Sequence, residues 1–94
     1  MKRTDAVLTY SPLVQASLAG IGARIKETRK AQGMSMERLG ELMMCTRHTV
    51  KRLEAGDPGV SIGVLAAALD ALQMARTLGG VARTTPHDFG GGQE

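Results

Sequence analysis

The segment TRHTVKRLEAG, residues 46–56, combines the residue types best suited to contact another molecule. It contains three basic side chains and a histidine, but its large apolar residues are only Val50 and Leu53. On a helix these two apolar residues, three positions apart, share one side and leave the charged residues on the other. Arginine and lysine neutralise phosphate groups, and arginine can also donate two parallel hydrogen bonds to a planar acceptor. The segment therefore predicts a short helix that meets an anionic partner through Arg47, His48, Lys51 and Arg52.

Basic residues are concentrated in the middle of the chain. The formal net charge is +3 over 94 residues, yet residues 24–52 contain eight basic and three acidic side chains. Lys2 and Arg3 add positive charge near the start. A basic centre suits a polyanion such as nucleic acid, whereas a solvated helix face is the alternative interpretation of the same charges.

Length and composition limit the architecture. A chain of 94 residues can bury one small core and no second one. Hydrophobic residues make up 43% of the chain and aromatic residues only 2%, with six methionines, which favours helices over a sheet. We therefore expect an all-α bundle of four to five helices in residues 13–78. Residues 1–12 are expected to form a flexible arm or short strand, and residues 79–94 a mostly disordered extension.

The first helix is predicted within residues 13–33. Leu18, Ile21 and Ile25 recur at intervals of three and four and mark its apolar side. The basic residues of this segment, Arg29 among them, are expected on its other faces. The segment ends at a glycine, which suits the left-handed position after a helix.

Three hydroxyl residues mark further helix starts. Ser35, Thr46 and Ser61 each precede an apolar pattern and can accept hydrogen bonds from the amides of the following turn. The second helix is expected to end near residue 44 or 45, the third at Gly56, and residues 57–59 should form a turn. The expected apolar faces are Leu39, Leu42 and Met43 in the second helix and Ile62, Leu65, Ala66, Leu69 and Leu72 in the fourth.

Two short helices joined by a turn, the second with a basic outer side, have the layout of a helix-turn-helix. The second helix needs only a narrow apolar seam, so its other side can enter the major groove of DNA. Arg47 and His48 lie in its first turn, the end that approaches base edges. Thr46 and Arg52 suit phosphate contacts, and Lys51 suits either role. With the start of the preceding helix included, the candidate DNA-binding residues are Ser35, Thr46, Arg47, His48, Lys51 and Arg52.

Residues 35–56, SMERLGELMMCTRHTVKRLEAG, resemble the helix-turn-helix of the Xre, or lambda-repressor-like, family. Gly40 occupies a position where that family has a small residue, because the two helices cross closely there. Met44 stands at a turn position usually held by glycine, and Met36 where a glutamine often contacts DNA. A non-glycine residue in the left-handed conformation costs roughly 1 kcal/mol, so this turn is either strained or follows a different path. The other matching positions are Ser35, Glu37, Leu39, Val50, Leu53, Glu54 and Gly56.

Residues 52–72, RLEAGDPGVSIGVLAAALDAL, are similar to a segment of the HipB-like antitoxins, which pair with HipA-like serine/threonine kinase toxins. Together the two resemblances cover about residues 18–78. They imply a homodimeric repressor that binds a palindromic operator in double-stranded DNA, regulates its own operon and neutralises a kinase toxin. The loop after the recognition helix contains Glu54, Asp57 and Pro58, whereas most such repressors have basic residues there. This loop is therefore expected to be structural or to face a partner protein.

Other functions find little support in the sequence. Its two histidines are His48 and His87, and no nucleophile–base pair is evident, so we expect neither an enzyme nor a bound cofactor. Cys45 and His48 have a spacing found in zinc sites, but no second pair follows, and no metal site is expected. No leader sequence or membrane span is recognised, and we expect a cytoplasmic protein.

Dimerisation is expected because one recognition helix reads only a few base pairs. Residues 60–83 are the expected interface, with AVLTY at residues 6–10 as a candidate exchanged strand. The alternative is that these residues complete the core of the monomer. Two other functions stay open: a stand-alone repressor without a toxin, and a protein-interaction module that neutralises a partner without specific DNA binding.

Overall fold

The computed structural model of the protein describes residues 10–76, and within them it contains four α-helices and no strand. Helix α3 packs against both α1 and α2, and α2 also packs against α4. The predicted all-α bundle is therefore confirmed. The C-terminal extension, most of the N-terminal arm and the candidate exchanged strand before Tyr10 lie outside the described residues. The helices are α1 (Pro12–Ala31), α2 (Met36–Met43), α3 (Arg47–Glu54) and α4 (Ile62–Ala71).

Each helix begins with a hydroxyl side chain that accepts a backbone hydrogen bond from the first turn. The predicted caps Ser35, Thr46 and Ser61 are confirmed, with acceptor distances of 3.0, 3.2 and 3.1 Å. Ser11 caps α1 in the same way at 3.1 Å. Pro12 follows it at the first helical position, so α1 starts one residue earlier than the sequence pattern indicated.

Each helix also ends with a residue in the left-handed conformation. The four residues are Gly33, Met44, Gly56 and Gln73, with φ angles of 70°, 59°, 78° and 63°. In every case the amide of the next residue donates to the carbonyl five positions earlier, as from Met34 to Arg29 at 3.0 Å. Glycine adopts this conformation without a steric penalty, whereas Met44 and Gln73 do not.

The core lies where α2, α3 and the C-terminal half of α4 meet Ile25 of α1. The predicted core position Ile62 is wrong, because its side chain is 79% exposed. It lies in the first turn of α4, and the buried residues of that helix come from its second half. Leu42 and Ile21 are also exposed, whereas Ala68, which the predicted stripe omitted, is fully buried. The buried apolar residues are Ile25, Leu39, Val50, Leu53, Ala68, Leu69 and Leu72.

The buried face of α1 differs from the predicted one. It is formed by Gly22, Ile25 and Arg29, so the expectation that Arg29 faces solvent is wrong. Gly22 lies where α1 crosses the end of α3: a Cβ atom there would meet the carbonyl oxygen of Leu53 at 2.8 Å, and that of Glu54 more closely still. A glycine on this face therefore lets the backbones of α1 and α3 touch.

Candidate nucleic-acid interface

Helices α2 and α3 are joined by a three-residue turn, residues 44–46. Met44 adopts φ 59° and ψ 42°, and the amide of Cys45 donates to the carbonyl of Gly40 at 2.9 Å. A Cβ atom on Gly40 would lie 2.8 Å from the carbonyl oxygen of Cys45, so the expected close approach at Gly40 is confirmed. Of the two alternatives for Met44, the strained left-handed turn is the one observed.

Helix α3 is held by one narrow side. Val50 and Leu53 are buried in the core, as the sequence predicted, and Glu54 is buried beside them. The opposite side carries Arg47, His48 and Lys51, all of them exposed. Eight residues thus divide into a seam that fixes the helix and a side that is free to contact a partner.

A buried ion pair fixes the C-terminal end of α3 to α1. The Nε and Nη2 atoms of Arg29 donate to the two carboxylate oxygens of Glu54 at 2.6 and 3.1 Å, and Nη1 donates to the carbonyl of Met34 at 2.8 Å. The two side chains are only 6% and 4% exposed. The hydrogen bond to Glu54 raises the pKa of Arg29 although burial opposes it, so the buried guanidinium stays protonated.

An exposed ion pair lies at the other end of α3. Nε of Arg47 is 2.9 Å from Oε2 of Glu37, which lies in the first turn of α2. The two side chains are 55% and 63% exposed, so they remain accessible to a partner. His48 follows Arg47 and is exposed, and the Thr46 hydroxyl caps the same turn through the amide of Thr49. The start of α3 therefore presents a guanidinium, an imidazole and backbone amides on one surface.

Arg52 is engaged by the loop that follows α3. Its Nε donates to Oδ2 of Asp57 at 2.7 Å, and Oδ1 of Asp57 accepts from the Gly59 amide at 2.7 Å. These two bonds hold the pKa of the Asp57 carboxyl below its ordinary value, and the bond to Asp57 raises the pKa of Arg52. The acidic loop thus stabilises its own turn, which supports the structural interpretation of it.

The remaining candidates are Lys51 and Ser35, both of them exposed. Lys51 is exposed in the second turn of α3. Ser35 starts α2, where its hydroxyl accepts from the Arg38 amide, two residues before Glu37. The turn and the Glu37–Arg47 pair bring the starts of α2 and α3 together. Five of the six predicted site residues are exposed, and Arg52 is half-buried.

Fewer basic side chains are free of a carboxylate partner than the sequence count suggests. Half of the eight basic residues between 24 and 52 form ion pairs within residues 10–76. The paired residues are Arg29, Arg38, Arg47 and Arg52, and the exposed ones with no carboxylate partner in that range are Arg24, Lys26, Lys30 and Lys51.

A family comparison agrees with this geometry. Residues 21–78, more than half of the chain, match the family described as the helix-turn-helix domain. The chain belongs to the helix-turn-helix domain family. No curated protein and no solved structure matches it significantly. The match begins within α1 and includes both α2 and α3, so the DNA-binding unit is this helix-turn-helix domain.

The helix-turn-helix domain also has an apolar groove on the side of α1 and α4. Its volume is about 310 Å³, and Val14, Ile21 and Ile62 contribute exposed apolar surface to it. Tyr10 and Leu65 lie among the other lining residues. None of the helices in residues 10–76 has the length and hydrophobicity of a membrane span. Within the same residues, no three potential metal-ligating side chains come together.

Sequence reasoning missed the partners of three arginines in this domain. Glu37 and Arg47 are ten positions apart across a turn, a separation that no helical spacing rule relates. Asp57 follows Arg52 by five positions, beyond the end of α3. The partner of Arg29, Glu54, was missed as well. The burial of Arg29 was nevertheless identifiable from spacing, because Arg29 lies four positions after the buried Ile25 and so on the same face of α1.

Proposed function

We propose that this helix-turn-helix protein is a sequence-specific transcriptional repressor. The observation that carries the proposal is the start of α3, where exposed Arg47 and His48 project from a helix fixed by its opposite side. A helix held in this way can enter a major groove about 12 Å wide without disturbing the core. Arg47 is assigned to guanine, His48 to a purine acceptor, Thr46 and Ser35 to phosphate, and Lys51 to either.

Arg52 keeps its proposed phosphate role in a modified form. Its Nε is bonded to Asp57, so the remaining Nη donors would have to reach the phosphate. The contact would therefore come from the margin of the interface.

The active form is proposed to be a homodimer on a palindromic operator. Two copies related by a two-fold axis would place their α3 helices in successive major grooves roughly 34–36 Å apart. The exposed Ile62 in the expected interface supports this proposal, because a large apolar side chain in water favours burial against a second surface. A monomer in sedimentation measurements, both free and on operator DNA, would contradict it.

The biological role proposed for the repressor is that of an antitoxin. The support is the similarity of residues 52–72 to HipB-like antitoxins, and the implied partner is a HipA-like serine/threonine kinase toxin. A stand-alone repressor is the alternative if no kinase gene adjoins this one. A stable complex between the purified protein and the product of such a gene would support the antitoxin role, and failure to associate would contradict it.

A protein-interaction module without specific DNA binding is the second candidate. The apolar groove beside Val14, Ile21 and Ile62 favours it, since such a surface suits a protein partner better than DNA. We propose no catalytic role for either function, because the only histidine in the described site is assigned to DNA.

The deciding experiment is a binding titration on the protein's own promoter and on scrambled DNA of equal length, at two salt concentrations. A preference of roughly a thousandfold or more for the promoter is expected for specific recognition. Equal and strongly salt-dependent binding to both would show that the interface makes only non-specific electrostatic contacts with DNA, and it would favour the protein-interaction module.

Substitution of Arg47 provides the residue-level test. Arg47→Ala is expected to cost about 1–3 kcal/mol of specific binding and to relax the preference at one base pair. Its effect on folding should be small, since exposed ion pairs contribute about 0–1 kcal/mol. An equal loss on all sequences would instead assign Arg47 to phosphate.

A further inference from the structure

We propose that Glu37 is a specificity-determining residue that positions the Arg47 guanidinium for one base pair without contacting DNA itself. The inference rests on the proposed function, because it concerns how Arg47 selects a base. Its structural basis is the ion pair between the first turns of α2 and α3, with Oε2 of Glu37 2.9 Å from Nε of Arg47. Among residues 10–76, this is the ion pair that joins α2 to α3.

The atoms involved leave the end of the guanidinium free. An arginine has five N–H donors, one on Nε and four on the two Nη atoms. Glu37 lies on the Nε side of the guanidinium as an ion pair without the alignment of a hydrogen bond, and within the described residues no hydrogen bond occupies either Nη atom of Arg47. A guanine offers O6 and N7 side by side in the major groove, which two Nη donors can meet end-on. Glu37 therefore holds the part of Arg47 that base recognition does not need.

Holding the side chain before binding favours one orientation over others. A free arginine can turn toward phosphate or toward several bases, and ordering it on binding has an entropic cost. The attraction between the two charges lowers this cost for the orientation in which the Nε side of the guanidinium lies against α2. It disfavours orientations in which the guanidinium turns away from Glu37, so selectivity at the contacted base pair should rise.

The same carboxylate should weaken binding to any DNA. Its charge lies at the interface, where it opposes the phosphates and offsets one positive charge of Arg47. A residue that only stabilised the fold would change neither discrimination nor non-specific affinity. Glu37 is expected to change both, in opposite directions.

The chain provides a matched control on the same helix. Glu41 pairs with Arg38 one turn further along α2 at 3.1 Å, and both side chains are exposed. Glu41→Gln makes the same charge change as Glu37→Gln, but the pair it breaks lies within α2 and does not involve α3. Comparing the two variants therefore separates the effect of the position of the carboxylate on DNA binding from the effect of its charge.

The experiment measures wild type, Glu37→Gln and Glu41→Gln on the operator, on the operator changed at the base pair that Arg47 selects, and on scrambled DNA. Glu37→Gln is expected to lower discrimination at that base pair about threefold, within the range of an exposed ion pair. It should also raise affinity for scrambled DNA roughly threefold, because one opposing charge is removed. Glu41→Gln should keep the wild-type discrimination. In an Arg47→Ala background, Glu37→Gln should no longer affect discrimination.

The possible results separate this inference from the proposed function. Wild-type protein that binds promoter and scrambled DNA equally would overturn both. Specific wild-type binding with unchanged discrimination in Glu37→Gln would overturn only the positioning role. Equal losses in Glu37→Gln and Glu41→Gln would also overturn it, since charge alone would then explain the effect. Thermal unfolding of each variant verifies that the compared proteins are folded.

Discussion

The C-terminal end of α3 is fixed by a buried, two-bond ion pair to α1, whereas its N-terminal end carries a single exposed ion pair to α2. Arg29 and Glu54 make their contacts away from water, so neither can be released without leaving a buried charge. Arg47 and Glu37 are both more than half exposed, so water screens their pairing and either side chain can move without leaving a buried charge. The same pair of residue types thus serves as an anchor at one end of the helix and as an adjustable contact at the other.

The largest effect is expected from removing the anchor. Glu54→Ala leaves the buried guanidinium of Arg29 without its carboxylate and should lower the free energy of unfolding by about 3–5 kcal/mol. Urea unfolding followed by circular dichroism measures this loss. The double variant Arg29→Met, Glu54→Leu should recover much of it, because apolar replacement removes both buried charges. A loss below about 1 kcal/mol in Glu54→Ala would show that the two ends of α3 do not differ as described.

The second test concerns the close contact between α1 and the C-terminal end of α3. Gly22→Ala should lower the free energy of unfolding by about 1–3 kcal/mol, because its Cβ would collide with backbone at the end of α3. Gly20→Ala on the same helix is the control: its Cβ meets no atom within 4 Å, and alanine should add about 0.5–1 kcal/mol. Thermal unfolding of both variants should give shifts of opposite sign. A stabilising Gly22→Ala would contradict the close crossing.

Most of the helix boundaries could be predicted from the sequence, because their signals are local. A hydroxyl before each helix and a glycine after two of them act within one turn. The burial of individual side chains was harder to predict. Whether Arg29 and Ile62 are buried depends on which part of a neighbouring helix reaches them, and composition does not encode that. The outward side of α3 was predicted from spacing alone. The carboxylates that hold Arg47 and Arg52 were not, since they come from other elements.

The turn before α3 can be compared with the turn after it. Met44 and Gly56 both adopt left-handed backbone, but only the glycine does so without strain. Met44→Gly should therefore raise the free energy of unfolding by roughly 1 kcal/mol, with little loss of packing because the side chain is 93% exposed. Gln73→Gly, at the end of α4, should give a similar gain as a matched control. No gain at Met44 beside a gain at Gln73 would indicate that the Met44 side chain stabilises the turn.

The smallest effect concerns pH at the anchored end. The pKa of Asp57 is lowered in the folded protein, first by the bond from Arg52 and then by the Gly59 amide. A lowered pKa stabilises the fold above the ordinary carboxyl pKa near 3.8, and this contribution is lost as the pH falls through the lower folded value. Since the side chain is more than a third exposed, the contribution should stay below about 1 kcal/mol. Stability profiles between about pH 6 and pH 2 should fall more for wild type than for Asp57→Asn. Parallel profiles would contradict the contribution of this pair.

The division of α3 into an anchoring side and a free side has an evolutionary consequence. Arg47, His48 and Lys51 contribute nothing to the core, so mutations at these positions can accumulate in duplicated genes without loss of folding. Related proteins can therefore differ at these three positions while Val50, Leu53 and Glu54 stay unchanged. A change at Glu54 has the opposite consequence, because it destabilises the fold itself unless Arg29 changes with it.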